Sequence, residues 1–411
     1  MPEFLKLIPV QQALQILLSQ IQVNAIAERV ETLTALGRVT AESIHSSLPL
    51  PPFPRSTVDG YAVRAADTFG ASESLPAYLR VIGEIQMGSS PGFAINPGET
   101  GLIHTGGMLP ESSNAVVMIE YTQPVGGDTV EILHSVAVGE NIIKVGEDVQ
   151  AGQEVIPYGV RIRPAEIGGL AALGILEIVV AKKPIVGIIS SGDEIISPDG
   201  KLLPGQVRDV NSYTLSALLD QTGAIPKRYG VFPDQEDTIH SICSRALDEC
   251  DMLVITAGSS ASARDLTARV IIKLGSPGVL VHGVNIKPGK PTILAICNDK
   301  VVIGLPGNPV SALVIAGLFV VPVVETLLGL TKVGFHPKFW ARLTTNIPSQ
   351  AGREDWVAAS LIIDNEGYQV DPIFSKSNLI FSLVRANSMV RVPADATGLS
   401  AGERVEVYLL T

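Results

Sequence analysis

The sequence is short of reactive sulfur. Three cysteines, Cys243, Cys250 and Cys297, are spread over 411 residues with no CxxC spacing. An odd, unpatterned set of this kind suits a reducing cytosol. Six histidines form no HExxH pair, so a zinc-hydrolase reading has nothing to rest on. Positive charge is also in deficit, with 30 Lys and Arg against 41 Asp and Glu and a formal net charge of -11. A general nucleic-acid surface or an anionic-membrane surface needs the opposite balance. A small anion stays open, because a few local donors override the mean field. No signal peptide is read at the start, where Glu3 and Lys6 precede an amphipathic pattern. The most membrane-like run, Val310 to Val324, is short for a span and is interrupted by Pro322. It is expected to be a buried helix, with Leu313 in the core.

Hydrophobic residues make up 46% of the chain and charged residues 17%, which is globular composition. The length exceeds one ordinary core, so two to four domains are expected. Residues 9–37 read as helical, because Val10, Ala13, Leu14, Leu17, Leu18 and Ile21 line one face. Between 46 and 140 short apolar runs alternate with Pro and Gly. The spacing there predicts a hairpin from Ala115–Tyr121 and Thr129–Leu133 around Gly126–Gly127–Asp128. A small-residue helix is expected around Ile167–Leu173.

From 181 to 330 the pattern alternates. Strand-like runs at Ile185–Ser190, Met252–Thr256 and Val301–Leu305 are separated by helical periods. One helix is expected from Asn211, read as its N-cap, to Gly223; others follow Asp234 and Asp265. Such alternation means a mostly parallel sheet covered on both faces, with its ligand crevice outside the carboxyl ends of the strands. Beyond about 335, runs at Phe339–Thr345, Trp356–Ile363 and Val405–Leu410, with a turn at Asp364–Gly367, read as a small β-barrel or sandwich.

Several strand ends open into loops suited to anions. In "GLPGNPVSA", Pro306 and Gly307 turn the chain, Asn308 caps, Pro309 takes the first helical position and Ser311 follows. The free N–H groups and dipole of that helix are expected to face an anion. In "SSGDEI", Ser191 and Gly192 suit close approach to a phosphate, while Asp193 and Glu194 suit Mg²⁺ or an activated water. "TAGSSASARD" offers Gly258, Ser259, Ser260 and Ser262, then Asp265 at a helix start. "IKPGKP" sets Lys287 and Lys290 around a turn, where two cations could clamp an oxyanion. Each loop alone also has a plain reading, as a capped helix or a solvated turn. Asp234 and Asp265 are equally good as N-caps. Together, acids beside lysines and helix ends suggest phosphoryl or oxyanion transfer with a divalent metal.

Four motifs, "DGYAVR" (Asp59–Arg64), "SSGDE" (Ser190–Glu194), "IKPGKP" (Ile286–Pro291) and "GLPGNPVSA" (Gly304–Ala312), occur in this order. In order and spacing the chain resembles the MoeA/gephyrin family over essentially its whole length. The resemblance implies a multidomain α/β and β fold. A helical linker and dimerisation domain would span 1–45 and 141–180, and a β-rich inserted domain 46–140. An α/β molybdopterin-binding domain with a mostly parallel sheet would span 181–332, and a C-terminal β-barrel 333–411. It implies a cytoplasmic homodimer that inserts molybdate into adenylylated molybdopterin, with Mg²⁺, releasing AMP. The molybdopterin adenylyltransferase is an implied partner.

Carried over residue by residue, the resemblance makes Asp59, Thr105, Glu194, Asp234 and Asp265 catalytic. Asp59 would reach the site across the dimer. Glu194, Asp234 and Asp265 would hold the metal. Substrate positions would be Ser191, Gly192, Asp193, Gly258, Ser259, Ser260, Lys287, Lys290, Pro306, Gly307, Asn308, Pro309, Ser311, Arg353 and Ser377.

The chain departs from the family pattern at "GSSASA" (Gly258–Ala263), where "GGVSVG" is usual. It departs again at Leu266 for a frequent aromatic, at "STVDGYA" for the commoner "SAMDGYA", and at Lys376 for a common glycine. Two other functions stay open: a molybdopterin adenylyltransferase, and a non-catalytic molybdopterin-binding or scaffold paralogue.

Overall fold

The protein is described from a computed structural model covering residues 7–22, 26–257, 261–333, 338–365 and 367–410. The chain divides into two compact units. One comprises Met1–Ala41, Tyr158–Arg163 and Val179–Thr411, the other Glu42–Pro157 and Pro164–Ile178.

The larger unit is built on a six-stranded sheet. Its order is Ile225–Phe232, Ile185–Ser191, Met252–Thr256, Lys300–Leu305, Ile293–Cys297 and Pro277–His282. The first four strands pair in parallel, and Ile293–Cys297 runs against both its neighbours. Side chains divide by alternation. Val186, Ile188, Met252, Val254, Val301 and Ile303 enter one core, against Leu215, Leu219 and the helix that starts at Pro309. Ile189, Leu253, Ile255 and Val302 enter the other, against Ile239, Cys243, Val270 and Ile271. A sheet covered on both faces needs apolar residues at every position, which is why these strands read as unbroken apolar runs.

The helix Asn211–Thr222 ends at Gly223, whose φ of 103° is readily adopted only without a Cβ. Its N-terminus corrects the expectation. Asn211 lies inside the helix, and Asp209 caps it by accepting the Ser212 N–H at 3.1 Å. The next helix, Glu236–Glu249, has no side-chain cap, so Asp234 is not its N-cap. Asp265 is not a cap either, because the helix runs Ala261–Leu274 and places Asp265 in its second turn. The run after Pro309 continues as one helix to Leu327 through a π-helical stretch, Ala316–Val320. It is long and apolar enough to cross a membrane, with mean hydropathy 2.2, yet 72% of it is buried inside the protein. Phe319 is fully buried, whereas Leu313 is only half-buried.

Residues 9–37 do not form one helix. The helix is Val10–Leu18, closed by the Ser19 hydroxyl on the Ile16 carbonyl (2.9 Å). Ala27–Glu31 is a strand with alternating exposure. The 3.6 period stops at Ile21, and the "AERVE" that follows has period 2.

Beyond 337, five strands close into a barrel: Lys338–Leu343, Glu354–Asp364, Gly367–Pro372, Ser388–Val392 and Arg404–Leu409. Closure comes from Glu354–Asp364 pairing with both Gly367–Pro372 and Ser388–Val392. The short strand Ile286–Lys287 adds to it beside Glu354 and Asp355.

The smaller unit holds a second six-stranded sheet and the helix Pro164–Ala172. The hairpin around Gly126 and Gly127 is present, but its first arm is Thr122–Gly126. Ala115–Met118 pairs instead with Gly60–Val63, because a 3-10 turn at Ile119–Tyr121 redirects the chain between the two runs.

All three cysteines are free and buried. Burial pushes the Cys243 and Cys297 thiols up to about 12 and about 11, so both act as small apolar groups.

Candidate functional site

Parallel pairing puts the carboxyl ends of four strands on one rim. Ser190 is in register with Thr256, and Thr256 with Leu305. Beneath the rim runs a buried polar chain. Thr256 Oγ1 donates to Ser190 Oγ (3.2 Å), and Ser190 Oγ donates to Asp209 Oδ2 (3.0 Å). Asp209 is only 6% exposed, and its other oxygen takes the Ser212 N–H, so the carboxylate fixes both a strand end and a helix start.

The proline loop is held from two sides. Asn211 Nδ2 donates to the Gly307 carbonyl at 2.8 Å. Asn308 Nδ2 donates to Ser377 Oγ at 3.1 Å, and the Val310 N–H donates to the Ser377 carbonyl at 3.1 Å. The Val310 amide, expected to face an anion, is therefore already bonded. Gly289 explains the turn in "IKPGKP": with φ of 113°, a Cβ there would lie 2.4 Å from the Ile315 side chain. Only glycine lets the lysine turn close onto the helix that follows the proline loop.

These contacts enclose a cavity of about 790 Å³. Lys287, Lys290, Pro306, Gly307, Asn308, Ser311, Arg353 and Ser377 line it, as does Lys376. Arg353 bonds Asp355 at 2.9 and 3.5 Å, and Asp355 is 4% exposed. A second cavity, about 550 Å³, shares Gly307 and Asn308 with the first and adds Glu194, Asp209, Asn211 and Pro309. The two adjoin across one loop.

Ser191, Asp193 and Asp234 stand at the same rim. Asp193 Oδ1 accepts the Asp234 N–H at 3.2 Å. Asp234 Oδ1 and Ser191 Oγ are buried with no hydrogen-bond partner among the described residues. Burial pushes the Asp234 carboxyl up, and the charges of Asp193 and Glu194 add to it. Gly192 turns this loop at φ 151°.

Asp265 is exposed and lines neither cavity. Its neighbour Leu266 is 6% exposed and takes the core face, and a rotation of about 100° per residue turns Asp265 outward. Gly258, Ser259 and Ser260 lie outside the described residues. Among the described residues no three His, Cys, Asp or Glu side chains are placed to hold one metal ion. Glu194, Asp234 and Asp265 therefore form no ready-made metal cage.

In the smaller unit Asp59 and Thr105 meet. Asp59 Oδ1 accepts the Thr105 N–H at 2.8 Å and the Thr105 hydroxyl at 3.2 Å. His104 adds Nδ1 at 3.7 Å and turns Nε2 to Glu84 at 2.9 Å. The Thr105 backbone bond, chiefly, holds the Asp59 carboxyl below its usual range, helped by the Thr105 hydroxyl and by His104 and opposed by desolvation.

Sequence reasoning missed Asp209, Asp355, His104 and Glu84 as members of these clusters. Asp209 had a signal, lying three residues before Ser212 at a helix start, but Asn211 offered an equally good cap. Glu84 and Asp355 had none, because their partners are set by sheet register.

A cation-lined cavity at the carboxyl rim of a mostly parallel sheet, walled in part by a β-barrel, gives this α/β protein a site suited to an anion. Comparison with known proteins narrows this. Residues 8–174 match the family model for the MoeA N-terminal region (domain I and II), residues 187–326 the "Probable molybdopterin binding domain", and residues 340–410 the MoeA C-terminal region (domain IV). The chain is 33% identical to a molybdopterin molybdenumtransferase of Bacillus subtilis, over 98% of this chain and 94% of that one. It is also 33% identical to one of Nostoc sp., over 93% and 88%. The crystal structure of a molybdopterin biosynthesis MoeA protein from Pyrococcus horikoshii superposes with a TM-score of 0.86 at 34% identity, covering 98% of this chain and all of that one. The chain belongs to the MoeA family.

Proposed function

We propose that this chain, acting in molybdenum cofactor biosynthesis as a molybdopterin molybdenumtransferase, takes adenylylated molybdopterin and molybdate as substrates and releases AMP. One observation carries the reading: Lys287, Lys290, Arg353, Ser377 and the proline loop converge on one cavity. Molybdate is a tetrahedral dianion, and cations with hydroxyl and amide donors are the groups that hold one. The adjoining cavity, with Glu194 and Asn308, would take the remainder of the substrate.

Mg²⁺ binds through one or two carboxylates, waters and substrate phosphates rather than an all-protein cage. The unpartnered Asp234 Oδ1, with Asp193 and Glu194 beside it, fits that mode. When bound there, Mg²⁺ would make the phosphoric anhydride a better electrophile. The protein's own part is to hold the oxyanion on the lysines, to keep carboxylates ready at the strand ends, and to orient the substrate through Asn308 and Ser377.

A cytosolic homodimer completes the proposal. It would let Asp59, held as an anion by Thr105, serve the other subunit's site. Free cysteines support the compartment.

The test is turnover. Purified protein is incubated with adenylylated molybdopterin, molybdate and Mg²⁺, and AMP and cofactor are measured. AMP release with cofactor formation supports the proposal. ATP-dependent adenylylation of free molybdopterin would point to the adenylyltransferase, and binding without turnover to a scaffold.

A further inference from the structure

The larger cavity carries four cations, Lys287, Lys290, Arg353 and Lys376, and one carboxylate, Asp355. Asp355 is already committed to Arg353 by two bonds. None of the three lysines has an ion-pair partner among the described residues. In a chain of net charge -11, this is a local inversion of sign.

Lys376 is one of three exposed, unpaired lysines on this wall, and the one on the loop bonded to the proline loop. Its backbone is anchored: the next residue, Ser377, accepts from Asn308 Nδ2 and from the Val310 N–H, each at 3.1 Å. The Lys376 carbonyl accepts the Leu379 N–H at 3.0 Å. The side chain is exposed on the cavity wall. An exposed, unpaired ammonium on a fixed backbone acts as a field source, and its effect scales with the charge of the ligand.

We propose that Lys376 makes this cavity select by charge, favouring a tetrahedral dianion over a monoanion of the same shape. The proposal rests on the reading of the cavity as an oxyanion site. With near-surface, salt-screened electrostatics, one lysine on the wall is worth roughly three- to tenfold in affinity per unit of ligand charge. A dianion therefore gains that factor twice.

Tungstate and perrhenate isolate the effect, being tetrahedral oxyanions of similar size that differ by one charge. The full chain and its variants are titrated with each by calorimetry, at low and at physiological ionic strength. Lys376→Gln is expected to lower the tungstate-to-perrhenate preference by about three- to tenfold. It should also flatten the salt dependence of tungstate binding and leave the melting temperature unchanged. Lys376→Arg should keep the wild-type preference. An unchanged preference in Lys376→Gln, or an arginine variant that behaves like glutamine, would overturn the role of Lys376 and leave the oxyanion site standing. Failure of the wild type to bind either ion would overturn the site and the inference together.

Discussion

Asn308 and Ser377, 69 residues apart, share a hydrogen bond of 3.1 Å that joins the loop after one sheet strand to a loop leaving the barrel. Ser377→Ala should cost about 1 kcal/mol of stability, the net worth of one part-buried hydrogen bond. Oxyanion affinity should fall by more than that, because the loop carrying Lys376 loses one of its two bonds to the proline loop and the cavity loses a hydroxyl. Denaturant titration and calorimetry with tungstate read the two effects separately. Equal affinity in the variant would show that the loops do not cooperate.

Asp209 is the hub of the buried polar chain. Asp209→Ala takes away the acceptor of the Ser190 O–H and leaves the Ser212 N–H unpaired beneath the rim. The expected loss is about 2–4 kcal/mol, combining a lost cap with unsatisfied buried groups. Asp209→Asn should cost less, because its amide can donate to Ser190 while Ser190 turns its proton to Thr256. Urea unfolding of the two variants should rank them in that order.

Asp234 makes stability depend on pH. Its carboxyl is raised above the ordinary 3.8 by burial, so the fold favours the protonated form. That stabilisation is fully present below 3.8 and is lost as pH rises through the folded value. Asp234→Asn should therefore be more stable than wild type at neutral pH, and equal to it below 3.8. A variant no more stable at neutral pH would contradict the burial of this carboxyl.

Asp59 has the opposite sign. Its folded value lies below 3.8, so what it adds to stability is present above 3.8 and lost only as pH falls through the depressed value. Thr105→Val removes the hydroxyl bond but keeps the backbone N–H, the larger cause. In a carboxyl-detected NMR titration Asp59 should move only part of the way back toward 3.8 in that variant. A full return would assign the effect to the hydroxyl.

Phe319, fully buried in the π-helical stretch, should cost about 3–5 kcal/mol as Phe319→Ala. Leu313→Asp should cost less than Phe319→Asp, because Leu313 is half-buried at the wall of a separate cavity. Melting temperatures of the two Asp variants decide this. A larger loss at Leu313 would reverse the assignment of the buried face.

Much of the fold was legible because burial on both faces leaves a plain mark. Met252–Thr256 was read at its observed ends and Ile185–Ser190 one residue short, since each apolar run was bounded by polar or turn residues. The site was legible wherever the chain carried a backbone requirement, as with Gly289 against Ile315 and Pro309 at the head of its helix. Capping was misread at Asn211, because Asp209 and Asn211 are chemically equivalent until the helix start is fixed. The hairpin arm was misread because a three-residue 3-10 turn has no hydrophobic period of its own.

The amino-acid order alone determined the alternation of strands and helices, the anion-suited loops at strand ends, and the family to which they belong. These depend on neighbours within a few residues, where period, capping and turn chemistry act. The folded structure decided which loops share a cavity. It put Ser377 and Arg353 beside the proline loop, set Asp193 against Asp234, and turned Asp265 outward. Those outcomes follow from strand register and barrel closure, which bring together residues whose separation along the chain carries no signal.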